Sequence, residues 1–163
     1  MGLLNRLFGS KKLNIGESYG GGIVFWVGDS GYHGLIAATA DQSTGIQWYN
    51  GKNTTTNADR DGVVYAGKYN TERVIANQCP GKYAAQICAD CRGGGYDDWY
   101  LPSKHELNLL YQQKDVVGGF DNNFYWSSTE YNSNFAWFQF FFNGGQYLYS
   151  KFAPFYVRAV RVF

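Results

Sequence analysis

An eight-residue segment near the end of the sequence constrains the fold more than any other part of the chain. Residues 135–142 read Phe-Ala-Trp-Phe-Gln-Phe-Phe-Phe, and aromatic residues favour strands, in which successive side chains point to opposite faces. The two faces then carry Phe135, Trp137, Gln139 and Phe141, and Ala136, Phe138, Phe140 and Phe142. Such a strand is either buried on both faces or exposes one aromatic stripe as a binding surface. Small antiparallel sheets favour the second alternative.

The composition around this segment favours a role in ligand binding. Residues 120–163 hold 17 of the 31 aromatic residues of the chain but only five charged ones. Across residues 131–155, Phe and Tyr are mixed irregularly with Ser, Gly and Asn. Antibody binding sites use the same mixture, because aromatic side chains supply contact area and small polar ones adapt to the ligand. We therefore expect a ligand-binding surface in this region.

Length and charge exclude several classes of protein. A chain of 163 residues predicts one domain, and a net charge of +1 provides no basic surface for nucleic acid. No apolar stretch is long enough to form a transmembrane segment.

Residues 1–15 read as a short leader, either an amphipathic helix or a frayed terminus. The apolar side of the helix would carry Leu3, Leu4, Leu7 and Phe8. The leader lacks the features of a secretory signal, so we expect synthesis in the cytoplasm, with display on a phage particle or a cell surface left open.

The remaining motifs do not assemble a catalytic or metal site. Cys79, Cys88 and Cys91 leave one cysteine unpaired in any disulfide scheme, so we expect free thiols and leave a disulfide open. The Cys88–Cys91 spacing is half of a zinc motif without a second pair, and residues 97–98, both Asp, read as a solvated turn. Ser30 lies in a Gly-Asp-Ser-Gly turn before both histidines, unlike a protease nucleophile. We expect no enzymatic activity, no metal and no cofactor.

Turn residues and periodicity predict an α+β domain. Residues 22–38 read as a hairpin, and a capping box of Ser103 and Glu106 predicts a helix from 103 to 114. Further helices are expected at 71–78 and 83–89, and further strands at 124–127, 135–142, 146–149 and 156–163. Because strands open and close the chain with helices between them, we expect the terminal strands to pair.

Five segments of the chain occur in the order found in a known family. They are residues 19–25, 33–38, 95–103, 125–130 and 157–161. Through them, residues 16–163 resemble the bacterial Lcl C-terminal-like domain family, which has a C-type lectin fold related to formylglycine-generating enzymes. The resemblance implies one C-type lectin-fold domain, with short helices packed on mostly antiparallel strands.

Within that family, the C-terminal part resembles the variable region of a diversity-generating retroelement target protein. In such proteins error-prone reverse transcription randomises the adenines of Asn codons, which can then encode every residue type except Lys, Glu, Gln, Met and Trp. The resemblance implies a variable ligand-binding region at about 131–155, in which the variable positions avoid those types, with the scaffold residues Trp126, Trp137, Phe141 and Arg158; Trp137 is expected to be a core anchor. The proposed variable positions are Phe138, Phe140, Phe142, Gly145, Tyr147, Leu148, Tyr149, Ser150, Phe152, Ala153, Pro154 and Phe155.

Two departures from related proteins narrow the expected function. All three cysteines precede Asp98, so the copper-binding cysteine pair of the related oxidase is absent from the C-terminal part. The residue triplets with which C-type lectins bind calcium and sugar are also absent. We expect a non-enzymatic receptor-recognition module for an unknown protein or other surface ligand, with oligomerisation left open. The alternative is a fixed-specificity adhesin or carbohydrate-binding domain of the same fold, whose aromatic residues stack on sugar rings.

Overall fold

The computed structural model describes residues 11–163, which form an α+β arrangement of two sheets and several short helices and so confirm the predicted fold class. The strands are β1 (Ser18–Tyr19), β2 (Gly22–Val27), β3 (Gly34–Ala37), β4 (Ser43–Ile46), β5 (Phe124–Glu130), β6 (Phe135–Phe140), β7 (Gln146–Ser150), β8 (Phe155–Val157) and β9 (Val160–Val162). The α-helices are α1 (Ala66–Gln78), α2 (Ala84–Ala89), α3 (Lys104–Gln112) and α4 (Lys114–Val117). None of the helices in residues 11–163 has the length and apolarity needed to span a membrane.

The first sheet joins the predicted hairpin to the last strand of the chain. Its order is β1-β2-β3-β9, and all of its pairs are antiparallel. β9 pairs with β3, with Leu35 opposite Val162, so the strands that open and close the chain share this sheet through β3. Leu13 is buried in the core, which extends the packed domain upstream of the predicted boundary at residue 16. The proposed apolar leader residues Leu3, Leu4, Leu7 and Phe8 lie outside the described residues.

The second sheet contains the aromatic segment. Its order is β4-β8-β5-β6-β7, and the pair of β5 with β8, where Tyr125 lies opposite Tyr156, is parallel. The other pairs are antiparallel. β6 has a strand neighbour on each side, so the aromatic segment lies inside the sheet and β7 forms its edge.

The prediction of one last strand over residues 156–163 is wrong, because the chain changes sheet within it. β8 ends at Val157 in the second sheet, and β9 begins at Val160 in the first. Arg158 fixes the crossover: its side chain is buried, and its Nε donates to the Asp41 carboxylate at 2.8 Å. The remaining guanidinium nitrogens donate to the carbonyls of Ala38, Gly118 and Gly119. These partners lie far away in the sequence, so local periodicity gives no sign of the break.

Helix α3 begins where the capping box predicts. Ser103 Oγ accepts the N–H of Glu106, and the Glu106 carboxylate accepts the N–H of Ser103 at 2.9 Å. The helix ends at Gln112, two residues before the predicted end, and α4 follows from Lys114. Burial raises the pKa of Glu106, although the carboxylate also accepts bonds from the Tyr65 and Gly67 N–H groups and the Tyr100 hydroxyl. The cap therefore ties α3 to the start of α1, which begins at Ala66 rather than at the predicted residue 71.

Candidate ligand-binding face

The strand register gathers the aromatic side chains of three strands on one side of the second sheet. Phe138 of β6 lies opposite Trp126 of β5 and Tyr147 of β7, and Phe140 lies opposite Phe124. Directly paired residues of neighbouring strands share a face, and ring contacts join further residues to them. We call this surface the aromatic face, formed by Phe124, Trp126, Phe138, Phe140, Phe142, Tyr147, Tyr149 and Phe155.

Two phenylalanines at its centre hold the aromatic face together. The ring centroid of Phe138 lies 5.2 Å from that of Phe124 and 4.9 Å from that of Phe155. The Phe155 centroid in turn lies 4.6 Å from that of Trp126 and 5.4 Å from that of Tyr149. Tilted and edge-on pairs at these distances are favourable arrangements for aromatic rings. The face is therefore one continuous network of ring contacts that spans β5, β6, β7 and β8.

Exposure of the aromatic face increases from its centre to its rim. Phe138 is only 7% exposed, whereas Phe142 is 63% exposed, Tyr147 54% and Tyr149 49%. Phe138 is proposed as a variable position of the ligand-binding surface, but rings from the neighbouring strands cover it, so a ligand cannot reach it directly. The rim, by contrast, consists of large aromatic side chains that a ligand can reach.

The other proposed variable positions divide into four environments. Phe152 and Pro154 are exposed in the turn between β7 and β8, but Ala153 between them is buried in the core, contrary to its proposed place at the ligand surface. Leu148 and Ser150 lie on the opposite face of β7, because strand side chains alternate. Gly145 lies in the turn before β7, where an added Cβ would meet the ring of Tyr147. The structure therefore brings together Phe138, Phe140, Phe142, Tyr147, Tyr149 and Phe155 and leaves Leu148 and Ser150 off the face.

The opposite face of β6 packs on α3 through directional hydrogen bonds. Gln139 is fully buried, and its Nε2 donates to Asn108 Oδ1 at 2.9 Å and to the carbonyl of Gly144 at 3.0 Å. On β7, Gln146 Nε2 donates to the carbonyl of Lys104 at 2.8 Å. Because a buried amide that loses its partner carries a large desolvation cost, these bonds restrict how β6 and β7 can sit on the helix.

Three of the four proposed scaffold residues are fully buried, namely Trp126, Phe141 and Arg158. Trp126 also donates from Nε1 to the carbonyl of Ile46 at 2.9 Å. Trp137 is different, and its assignment as a core anchor is wrong. Its ring is half-buried at the margin of the α3 side, with the ammonium of Lys104 3.6 Å from the ring centroid.

The aromatic face has no exposed charge from its own strands. Lys151 is the only charged residue between Phe135 and Val157. Its side chain is fully buried, with Nζ 2.8 Å from Glu130 Oε2 and 4.6 Å from the centroid of the Trp48 ring. Burial lowers the pKa of Lys151, and the hydrogen bond to Glu130 opposes that shift. The only charge between Phe135 and Val157 is therefore buried, and the aromatic face presents no charge to a ligand.

Asp98 is not part of a merely solvated turn as predicted, because it forms an ion pair with Arg161 of the first sheet. Asp98 binds Arg161 through both carboxylate oxygens, at 2.6 and 3.0 Å, and this hydrogen bonding lowers the pKa of Asp98.

The three cysteines, Cys79, Cys88 and Cys91, are free thiols. Among residues 11–163, no group of three or more His, Cys, Asp or Glu side chains is arranged to hold a metal ion.

Sequence reasoning missed Phe124 as a member of the aromatic face. Its ring centroid lies 4.7 Å from that of Phe140 and 5.2 Å from that of Phe155, so it links the centre of the face to its rim. The available signal was the period of two along β5, which puts Phe124 on the same side as Trp126. The pairing of β5 with β6, which makes that side the aromatic face, is not a local property of the sequence.

A comparison with protein families places this sheet within a known domain. A family model described as the Lcl C-terminal domain matches residues 37–161. The matched stretch contains every strand of the second sheet and the whole aromatic face. No curated protein sequence matches the chain.

Proposed function

The chain belongs to the Lcl C-terminal domain family, and on this premise we propose that it is a non-enzymatic binding module whose ligand contacts the aromatic face. The observation that carries the proposal is the exposed rim of that face, with Phe142, Tyr147 and Tyr149 each about half exposed or more. Folded proteins seldom leave contiguous large aromatics in water unless a partner covers them. Aromatic residues are also the most frequent energetic centres of protein interfaces.

The chemistry of the rim favours a protein ligand with an apolar, uncharged contact surface. Phe142, Phe140 and Phe124 offer only ring edges and faces, and the hydroxyls of Tyr147 and Tyr149 are the only polar groups among the exposed side chains of the aromatic face. Binding a sugar requires several hydrogen-bonding side chains around a stacking ring, because a buried sugar hydroxyl without a partner is costly.

We further propose that the surface is diversified by a retroelement and displayed on a phage particle or a cell surface. Five of the proposed variable positions, Phe142, Tyr147, Tyr149, Phe152 and Pro154, are exposed, so substitution there leaves the interior intact. Burial of Phe138 and Ala153 restricts the residues that those two positions can accept. Diversity would therefore be greatest at the rim and smallest at the centre of the aromatic face.

The coding DNA tests diversification without a ligand. If the variable positions derive from Asn codons, their third bases are unchanged pyrimidines. Phe and Tyr codons always end in a pyrimidine, so the informative positions are Gly145, Leu148, Ser150, Ala153 and Pro154. We expect C or T at all five third bases and an adenine-rich near-copy of the region in the flanking DNA. Purines at two or more of them would contradict diversification and leave an adhesin of fixed specificity.

A further inference from the structure

The hydrogen-bond register of β7 shows which of its backbone groups are used within the sheet. β6 and β7 pair in one continuous register. Just beyond the two ends of this ladder, Phe140 N–H donates to the Gly145 carbonyl at 2.8 Å, and Lys151 N–H donates to the Asn134 carbonyl at 3.0 Å. Antiparallel residue pairs alternate between those that exchange backbone hydrogen bonds and those that do not. Both end bonds fit the same alternation, so it holds for the whole strand.

The alternation directs the backbone of every second residue of β7 away from β6. Tyr147 and Tyr149 exchange their backbone bonds with β6. Gln146, Leu148 and Ser150 point their N–H and C=O groups towards the outer edge instead. Within residues 11–163 no strand covers that edge, since β7 ends the sheet. β7 therefore presents a row of backbone donors and acceptors to an external strand.

The other sheet edges in the described chain are protected, whereas β7 is not. β1 has only two residues, β4 is interrupted by a register shift between Ser43 and Ile46, and β9 is covered by a bridge between Tyr100 and Val160. β7 has five residues in regular register, with no charge and no proline. Short strands, bulges, charges and covering segments are the devices by which proteins prevent edge-to-edge pairing.

We infer that β7 pairs with β7 of a second copy of this chain, antiparallel about a two-fold axis at Leu148. The two Leu148 residues then exchange N–H and C=O bonds with each other. Gln146 of each copy exchanges bonds with Ser150 of the other, so every outward backbone group of the strand meets its complement. The Ser150 carbonyl already accepts the N–H of Ala153, and its second lone pair serves the new bond.

The side chains of β7 are self-complementary in the same register. Leucine meets leucine, the Gln146 amide lies opposite the Ser150 hydroxyl, and Tyr147 lies beside Tyr149 of the second copy. The two aromatic faces then join across a single sheet, which gives the dimer a surface twice as long. Backbone bonds do not depend on side-chain type, so pairing tolerates substitution along β7. The inference goes beyond the proposed function and does not depend on it.

A charge-exchange experiment tests the register of the dimer. Sedimentation equilibrium of the full chain, from micromolar to submillimolar concentration, should show a monomer–dimer equilibrium. Gln146→Lys combined with Ser150→Lys places like charges opposite each other at both ends and should weaken dimerisation about tenfold or more. The matched variant, Gln146→Lys combined with Ser150→Glu, places opposite charges there and should dimerise at least as well as the unmodified chain. A monomer at every concentration, or equal dimerisation of the two variants, would overturn the inference.

Amide hydrogen exchange supplies a readout that does not require substitution. The Leu148 N–H should exchange rapidly in dilute protein and become protected as the concentration rises. The Tyr147 and Tyr149 N–H groups, bonded to β6, should be protected throughout and serve as internal controls. Protection of Leu148 that does not change with dilution would mean that a segment of the same chain covers the edge, and would equally overturn the inference.

Discussion

The two faces of β6 have nearly the same composition but are held in different ways. On the α3 side, the buried Gln139 and its bonds to Asn108 and Gly144 define one position of the strand. On the other side, rings around Phe138 contact each other over the whole aromatic face. Hydrogen bonds of buried groups require particular partners, whereas ring packing accepts many shapes. The difference teaches that hydrogen bonds can fix one face of a strand while the exposed rim of its other face, at Phe142, remains free to vary.

The largest expected effect separates the centre of the aromatic face from its rim. Phe138→Asn should lower the free energy of unfolding by about 3–5 kcal/mol or more, because it removes a buried ring and buries a polar amide. Phe142→Asn, at the exposed rim, should change it by about 0.5 kcal/mol or less. Chemical denaturation of the two variants measures both values. Similar losses of unfolding free energy in the two variants would mean that burial does not decrease from the centre of the aromatic face to its rim.

A smaller loss is expected on the α3 side. Gln139→Met retains the length of the side chain but removes its three hydrogen bonds, which leaves Asn108, the Gly144 carbonyl and the Gln146 amide without this partner. We expect the free energy of unfolding to fall by about 1–3 kcal/mol. Leu148→Met, a half-buried apolar change on the same side of the sheet, is the control and should cost less. A Gln139→Met variant as stable as the unmodified chain would show that directional bonds do not fix this side.

Substitution of Trp137 tests how strongly the margin of the α3 side contributes to stability. Trp137→Ala should cost less than Phe138→Asn, because the tryptophan ring is only half-buried. A double-mutant cycle with Lys104→Ala should give a coupling of about 0.5–1 kcal/mol for an ammonium over an indole ring at a partly exposed site. Absence of coupling would contradict the contact, and a loss as large as that of Phe138→Asn would restore the core-anchor assignment.

The smallest expected effect lies in the first sheet, away from the aromatic face. Arg161 lowers the pKa of Asp98 in the folded state, so this carboxylate stabilises the fold above its unfolded pKa, and that stability is lost as the pH falls through the lower folded pKa. Asp98→Asn should therefore lower the melting temperature slightly at neutral pH. The difference from the unmodified chain should disappear in acid. A difference that grows as the pH falls would have the wrong sign for this ion pair.

Local signals in the sequence predicted the elements of the fold well. The capping box located the start of α3, because both of its hydrogen bonds join residues three positions apart. The period of two along 135–142 likewise divided β6 correctly into its two faces. Both features depend on neighbouring residues, and neighbouring residues are what a single sequence displays.

The burial of individual side chains and the passage of the chain from one sheet to the other could not be predicted, because both depend on residues that are distant in the sequence. The burial of Phe138 results from Phe155, which β8 brings beside β5 rather than beside β7. The break at Arg158 results from its bond to Asp41, over a hundred residues earlier in the chain. The alternation of a strand shows which side chains share a face, but it does not show what covers that face.

The most direct test of the account compares two libraries of this chain displayed on cells. One library varies four exposed residues of the aromatic face and its adjoining turn: Phe142, Tyr147, Tyr149 and Phe152. The control library varies four exposed residues of α1: Lys68, Glu72, Arg73 and Ala76. Resistance to protease reports folding, and selection against purified lysozyme as a model protein target reports binding. We predict that the first library stays folded and yields binders at a higher frequency than the control. Loss of folding in the first library, or equal frequencies of binders in the two, would contradict the claim that a fixed frame carries a tolerant recognition surface.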